Sequence, residues 1–104
     1  MIVDTNFIID MIKGVKEVEL FLRQNTETTF YTTTISVYEL KAGERKLEEK
    51  INEELLSALK ILNMDKESAT IGGKIFKELK EKGEEIDSHD CMIAGIAIKN
   101  NLPL

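Results

Sequence analysis

The sequence is short of cysteine, proline and basic charge, and each shortage excludes a class of protein. Cys91 is the only cysteine, so an intrachain disulfide is excluded. One proline among 104 residues, 42% of them hydrophobic, argues against a disordered majority or a linker, and we expect a single domain over residues 1–104. A net charge of -5 argues against a nucleic-acid binder that relies on a basic surface alone.

Long hydrophobic segments are absent as well. No basic segment followed by an apolar one precedes Val3, and the apolar runs are far shorter than the roughly 20 residues that span a bilayer. We therefore expect a cytoplasmic protein without membrane contact.

The spacing of apolar residues divides the chain into helices joined by short strands. Helices are predicted over Asn6–Lys13, Val15–Gln24, Ser36–Leu47, Lys66–Lys82 and Asp90–Lys99, with a further apolar stripe from Leu47 to Leu62. Strands are predicted over Thr28–Ile35 and Ile61–Met64, and Leu102–Leu104 has the composition of the entry to one more. Because helices connect the strands, the predicted fold class is α/β with a parallel sheet.

Local features predict where two helices begin and where two helices lie close together. Asp65 is expected to cap the helix that follows it, and Asp87 or Ser88 the last helix. The Gly72–Gly73 pair costs about 1 kcal/mol per glycine relative to alanine, which favours a close helix contact there. In the last helix we expect Cys91 to be buried and the small residues to lie close to the sheet, namely Ala94, Gly95 and Ala97.

The first ten residues place an acid where such a sheet binds ligands. The apolar pair Ile2–Val3 leads directly to Asp4, and Thr5–Asn6 then opens a helix. In open parallel sheets, ligands bind in the crevice at the carboxyl ends of the strands. We therefore expect the carboxylate of Asp4 in that crevice.

Two further carboxylates lie at the starts of other elements. Glu39 lies in the helix that follows the predicted strand Thr28–Ile35, and Asp90 lies in the first turn of the last helix. Mg²⁺ and Mn²⁺ prefer hard oxygen ligands, and Mg²⁺ usually takes only one or two carboxylates directly. Asp4, Glu39 and Asp90 are therefore candidate metal ligands, because converging carboxylates repel one another without a cation.

Each of these residues also has a purely structural interpretation. Ser36 and Glu39 have the S-x-x-E spacing of a helix capping box. Asp4 could start a turn, and a helix dipole favours the charge of Asp90 where it stands. His89 is the only histidine and abuts Asp90, and we expect a surface or capping residue rather than a general base.

Three segments carry motifs whose order and spacing are distinctive. They are the Asp-Thr-Asn segment at Ile2–Asn6, the segment Ile35–Leu40 followed by Gly43, and the segment Asp90–Ala97. Together they resemble the PIN domain and, within it, the VapC-type toxins of prokaryotic toxin–antitoxin pairs. The resemblance covers nearly the whole chain, and it implies a Rossmann-like three-layer α/β/α sandwich with a mostly parallel central sheet.

The resemblance also implies an activity. It implies a Mg²⁺- or Mn²⁺-dependent ribonuclease that cleaves RNA, usually as a homodimer that a VapB-like antitoxin holds inactive. By position, Asp4, Glu39 and Asp90 match the acids of the family, and Thr5, Asn6 and Ser36 match its supporting polar residues.

The resemblance further implies a fourth acidic or polar ligand and an edge strand beyond the segment Asn100–Leu104, where this sequence ends. We therefore expect the C-terminal strands to be shortened or missing. Two alternatives stay open. One is a cleavage-deficient PIN remnant that binds an antitoxin or RNA. The other is a phosphoacceptor regulator with Asp4 as the acceptor, which is disfavoured because no second acid adjoins Asp4.

Overall fold

A computed structural model describes residues 1–103, so Leu104 of the predicted last strand lies outside the described residues. The elements in this part of the chain are α1 (Thr5–Ile12), α2 (Lys16–Gln24), β1 (Tyr31–Thr33), α3 (Thr34–Ala42), a 3₁₀ turn (Lys46–Glu48), α4 (Glu49–Ser57), β2 (Lys60–Leu62), α5 (Lys66–Glu81) and α6 (Ser88–Lys99). Helices and a parallel sheet therefore form the predicted α/β arrangement.

The two strands form a parallel sheet that the N-terminal segment extends. Tyr31 of β1 pairs with Lys60 of β2, and Ile2 forms a parallel bridge to Tyr31. The N–H of Tyr31 donates to the carbonyl of Met1 at 2.9 Å. On the other edge of the N-terminal segment, the N–H of Ile2 donates to the carbonyl of Pro103 at 3.0 Å. The C-terminal segment therefore lies beside the N-terminal one. The parallel pairing predicted from the helical crossovers is confirmed.

The strand predicted over Thr28–Ile35 is shorter than expected, and the helix after it starts earlier. β1 ends at Thr33, whose Oγ1 accepts the N–H of Ser36 at 3.1 Å and so caps α3. A threonine run suits a strand, but a threonine hydroxyl also makes a good N-cap. The strand predicted at Ile61–Met64 is also shorter than expected: β2 starts one residue earlier, at Lys60, and ends at Leu62.

Aspartate side chains cap α5 and α6, as predicted. The carboxylate of Asp65 accepts the N–H of Ser68 at 2.8 Å, and that of Asp87 accepts the N–H of His89 at 2.7 Å. The cap at Asp87 fixes the first turn of α6, which contains His89 and Asp90. Within residues 1–103, no helix is both long enough and apolar enough to cross a membrane.

The core under the N-terminal segment holds α1 and α3 together. Val3, Ile8 and Leu40 form its centre, and each is at most 6% exposed. Phe7 and Phe30 pack against it. Phe21 packs against both of these rings, and the centroids of the three rings are 6.0 to 6.4 Å apart. This packing brings the start of α1 and the middle of α3 into one region of the molecule.

Helices α5 and α6 pack so closely that their backbones are in contact at two glycines. A Cβ on Gly95 would lie 2.8 Å from the nitrogen of Gly72, and a Cβ on Gly72 would lie 2.7 Å from the carbonyl oxygen of Cys91. The close contact predicted at Gly72 is confirmed, but a Cβ on Gly73 would meet nothing within 4 Å in the described chain. The prediction for Gly95 is wrong, because this glycine makes room for α5 and not for the sheet. Cys91 is buried, as predicted.

Candidate active site

Asp4 lies where the N-terminal segment passes into α1. The Ile2–Val3 pair is buried in the sheet, and the chain turns into a helix immediately after it. The Oδ1 of Asp4 accepts the N–H of Phe7 at 2.9 Å, so the carboxylate caps α1 while its side chain stays exposed. Asp4 thus caps a helix instead of starting a turn, and the cap holds its carboxylate at the carboxyl end of the segment.

Asp4 and Asp90 line the same pocket. This pocket has a volume of about 310 Å³, and its remaining walls are mostly apolar: Met1, Ile2, Val3, Phe7 and Ile93. Asp90 is exposed in the first turn of α6, so both carboxylates reach solvent. Within residues 1–103, neither pairs with a lysine or an arginine. In the described part of the chain, the pocket therefore presents two carboxylates that no lysine or arginine pairs with.

The third predicted acid, Glu39, contacts the residues that adjoin Asp4 and Asp90 in the sequence. Its Oε1 accepts the hydroxyl of Thr5 at 2.9 Å, and its Oε2 lies 3.3 Å from Nδ1 of His89. Thr5 follows Asp4 in the chain, and His89 precedes Asp90. The long-range contacts of Glu39 thus link α1, α3 and α6 beside the pocket.

The capping-box interpretation of Ser36 and Glu39 is wrong. Because Thr33 is the N-cap of α3, Ser36 already lies in the first turn and Glu39 in the second, out of reach of the cap. Ser36 is fully buried, and its hydroxyl accepts that of Thr33 at 3.4 Å. In the described chain, Ser36 therefore contacts Thr33 instead of a carboxylate. Asn6 is exposed on α1.

Sequence reasoning missed the place of His89 in this cluster. Its side chain is 37% exposed, so it does lie partly at the surface, but its ring also packs edge-on against Tyr38 with centroids 5.9 Å apart. Tyr38 precedes Glu39 and His89 precedes Asp90, so two adjacent pairs meet across α3 and α6. The one available signal was the position of the only histidine beside a candidate ligand. Its partner lies 50 residues away in the sequence.

The donor groups fit a hydrated divalent cation better than a cation with three protein carboxylates. Within residues 1–103, no group of three His, Cys, Asp or Glu side chains is arranged to hold a metal ion. Asp4 and Asp90, however, share the pocket, and two carboxylates with several waters satisfy Mg²⁺. Both oxygens of Glu39 already have protein neighbours, which suits a ligand that acts through water.

Comparisons with known proteins show which family this fold and sequence resemble. The PIN domain family model matches residues 1–104. The chain is 36% identical over 95 residues to the Ribonuclease VapC3 of Methanocaldococcus jannaschii, an alignment that covers 91% of this chain and 95% of that protein.

Solved structures of toxin–antitoxin complexes are similar as well. VapBC2 of Rickettsia felis bound to a DNA fragment from its promoter matches with a TM-score of 0.83 and 26% identity, over 97% of this chain and 81% of that one. DNA-bound VapBC of Salmonella typhimurium matches with a TM-score of 0.81 and 28% identity, over 97% and 80%. With these likenesses and the family match over residues 1–104, the chain belongs to the PIN domain family, among its VapC-type members.

Proposed function

We propose that this chain is a metal-dependent endoribonuclease that hydrolyses RNA phosphodiester bonds as the toxin of a VapBC-type pair. The observation that carries the proposal is the pocket lined by both Asp4 and Asp90, which have no basic partner within residues 1–103. Membership of the PIN family and the 36% identity to a protein named Ribonuclease VapC3 support the reaction class.

In this proposal each acid has its own task. Asp4 and Asp90 would hold a divalent cation, Mg²⁺ or Mn²⁺, in the pocket. Such an ion, when bound, activates water and offsets the negative charge that builds on the scissile phosphate. Glu39 would contact that cation through a water molecule and orient the same water for attack on the phosphate. Thr5 fixes one oxygen of Glu39 at 2.9 Å.

Two weaker supporting roles complete the proposed site. Asn6 adds an exposed amide at the start of α1, next to the pocket. Ser36 acts indirectly, because its contacts with Thr33 set the start of the helix that carries Glu39.

The proposed partners follow from the similar structures, which are toxin–antitoxin complexes. We propose that a VapB-like antitoxin binds this chain and blocks the carboxylate pocket. When no antitoxin is bound, the chain acts on RNA in the cytoplasm as a homodimer. Light scattering of the purified chain, alone and mixed with a VapB-like antitoxin, would measure both associations.

Cleavage of a structured RNA pool tests the reaction. Wild type is assayed with Mn²⁺, with Mg²⁺ and with EDTA, next to Asp90→Asn and the matched control Asp87→Asn. Asp87 caps α6 three residues earlier, and asparagine is an equally good cap, so this control should keep its activity. We expect cleavage with either metal, none with EDTA and none from Asp90→Asn. Undiminished cleavage by folded Asp90→Asn would refute the assignment.

A second candidate is a PIN protein that binds an antitoxin or RNA without cleaving. The observation in its favour is that Glu39 is engaged at both oxygens and that residues 1–103 hold no three-ligand group. This candidate predicts no cleavage with any metal from a folded wild type. It also predicts that antitoxin binding is the same for wild type and Asp90→Asn.

A further inference from the structure

The carboxylate of Glu39 is fixed from two sides by groups on different helices. The hydroxyl of Thr5, at the start of α1, donates to Oε1 at 2.9 Å. The Nδ1 of His89, in the first turn of α6, lies 3.3 Å from Oε2. The side chains of His89 and Glu39 are 37% and 32% exposed, so the contact is partly shielded from water. One donor alone would leave the carboxylate free to rotate, whereas two fix its plane.

The ring of His89 is itself held in place. The carboxylate of Asp87 accepts the backbone N–H of His89 at 2.7 Å and sets the start of α6. The ring then packs edge-on against Tyr38, with centroids 5.9 Å apart. Tyr38 and Glu39 are adjacent on α3, so the same helix presents both the packing surface and the acceptor. The position of Nδ1 is therefore set before any ligand binds.

The chemistry of the pair determines which atom carries the hydrogen. An ionised carboxylate only accepts hydrogen bonds, so Nδ1 of His89 must donate to Oε2 of Glu39. Both the charged ring and the neutral tautomer protonated at Nδ1 satisfy this requirement. The contact therefore requires a donor at that position and does not require a positive charge.

We infer that His89 is a positioning residue that orients the carboxylate of Glu39 for the proposed metal-dependent cleavage of RNA. The inference rests on the proposed function, because it assigns His89 a task only if Glu39 acts in that reaction. His89 is not one of the residues that line the pocket of Asp4 and Asp90. It acts through Glu39, in the way that outer-shell partners hold metal ligands in other sites.

Two substitutions at one position separate hydrogen bonding from packing. His89→Phe keeps a ring against Tyr38 but removes the donor. His89→Asn loses the ring but places an amide nitrogen near the position of Nδ1. For each variant we would measure the affinity for Mn²⁺ by calorimetry, the single-turnover rate of RNA cleavage, the KM for RNA and the midpoint of thermal unfolding.

We expect His89→Phe to lower the cleavage rate and the Mn²⁺ affinity by about 10-fold to 100-fold, and His89→Asn to recover most of both. KM for RNA and the unfolding midpoint should stay near those of wild type. If His89→Phe unfolds, His89→Ala takes its place in the comparison with His89→Asn.

The outcomes distinguish this inference from the proposed function. A wild type that cleaves RNA and a folded His89→Phe with the same rate and Mn²⁺ affinity would overturn the inference alone. Equal losses in His89→Phe and His89→Asn would also overturn it, because they would show that the donor is not the decisive group. A folded wild type that neither binds Mn²⁺ nor cleaves would overturn the proposed function, and the inference with it.

Discussion

Asp65 and Lys99 form an ion pair, with 2.6 Å between Oδ2 and Nζ, that ties the start of α5 to the end of α6. The N–H and the hydroxyl of Ser68 each donate to Oδ1 of the same carboxylate at 2.8 Å. The ammonium of Lys99, and after it the two donors of Ser68, hold the pKa of Asp65 far below its ordinary value. The same pair raises the pKa of Lys99.

This depressed pKa predicts a pH-dependent contribution to stability. A carboxylate whose pKa is lower in the folded chain stabilises it above the unfolded pKa, and the contribution is lost as pH falls through the folded value. Near neutral pH, we therefore expect Asp65→Ala to have a lower free energy of unfolding than wild type. The difference should shrink as the pH falls below about 4. Urea unfolding curves over this range would measure it.

Asp65→Asn is the matched control for that experiment. Asparagine keeps an N-cap acceptor but removes the charge that pairs with Lys99. Near neutral pH its free energy of unfolding should lie between those of wild type and Asp65→Ala. A gap between wild type and Asp65→Asn that does not change with pH would contradict the role of the ion pair.

The backbone contact between α5 and α6 predicts opposite effects for two glycines. Gly95→Ala would place a Cβ against the nitrogen of Gly72 at 2.8 Å and the carbonyl of Ser68, so the helices must separate. We expect the free energy of unfolding to fall by about 2 kcal/mol or more, as in other overpacked cores. Gly73→Ala meets nothing within 4 Å in the described chain, so helix propensity should raise stability by up to about 1 kcal/mol.

Chemical denaturation of both variants would test this pair of predictions. If Gly95→Ala were as stable as wild type, the close approach of α5 and α6 described above would be wrong. A loss of stability in Gly73→Ala would instead indicate that this exposed face of α5 is covered in solution.

The contact between Thr5 and Glu39 predicts an effect on catalysis rather than on folding. Thr5→Val keeps the shape of the side chain but removes the donor that lies 2.9 Å from Oε1. We expect the rate of metal-dependent RNA cleavage to fall by about 10-fold to 100-fold. Thr70→Val is the matched control, since Thr70 is exposed on α5 and bonds only the carbonyl of Lys66 in residues 1–103. Equal rates in the two variants would argue against a role for Thr5.

A buried amide on α4 predicts a measurable change in one pKa. Asn52 is 3% exposed and donates to Oε2 of Glu44 at 2.8 Å. This hydrogen bond, helped by the nearby ammonium of Lys41, holds the pKa of Glu44 below its ordinary value. We expect Asn52→Ala to raise the pKa of Glu44 in an NMR titration. Lys41→Met should raise it as well, and an unchanged pKa in Asn52→Ala would contradict the role of the amide.

Much of the helical part of this fold could be predicted because local residues determine it. Asp65 and Asp87 cap their helices through backbone N–H groups two or three residues away. Gly14 and Gly83 have positive φ, +69° and +74°, just after helices that end there. The strands were harder to predict, because the run around Thr33 suits both a strand and a helix cap. In the structure, the hydroxyl of Thr33 accepts the N–H of Ser36, so the strand ends there and a helix begins.

The three acids of the candidate site remain a prediction from the sequence, and their contacts could not be predicted at all. Asp4, Glu39 and Asp90 follow motifs that a sequence displays directly. The partners of Glu39 are 34 and 50 residues away, so no local pattern could assign Thr5 or His89 to its two oxygens. The same holds for Gly95, because a small residue on an apolar helix does not reveal whether a sheet or another helix approaches it.

The cap that Asp4 provides has a consequence for the behaviour of the site on heating. One carboxylate both begins α1 and lines the pocket, so fraying of the first turn would release it while the rest of the fold stays intact. Local opening of helix ends requires far less free energy than global unfolding. Thermal inactivation of the site should therefore begin below the melting temperature of the chain and reverse on cooling.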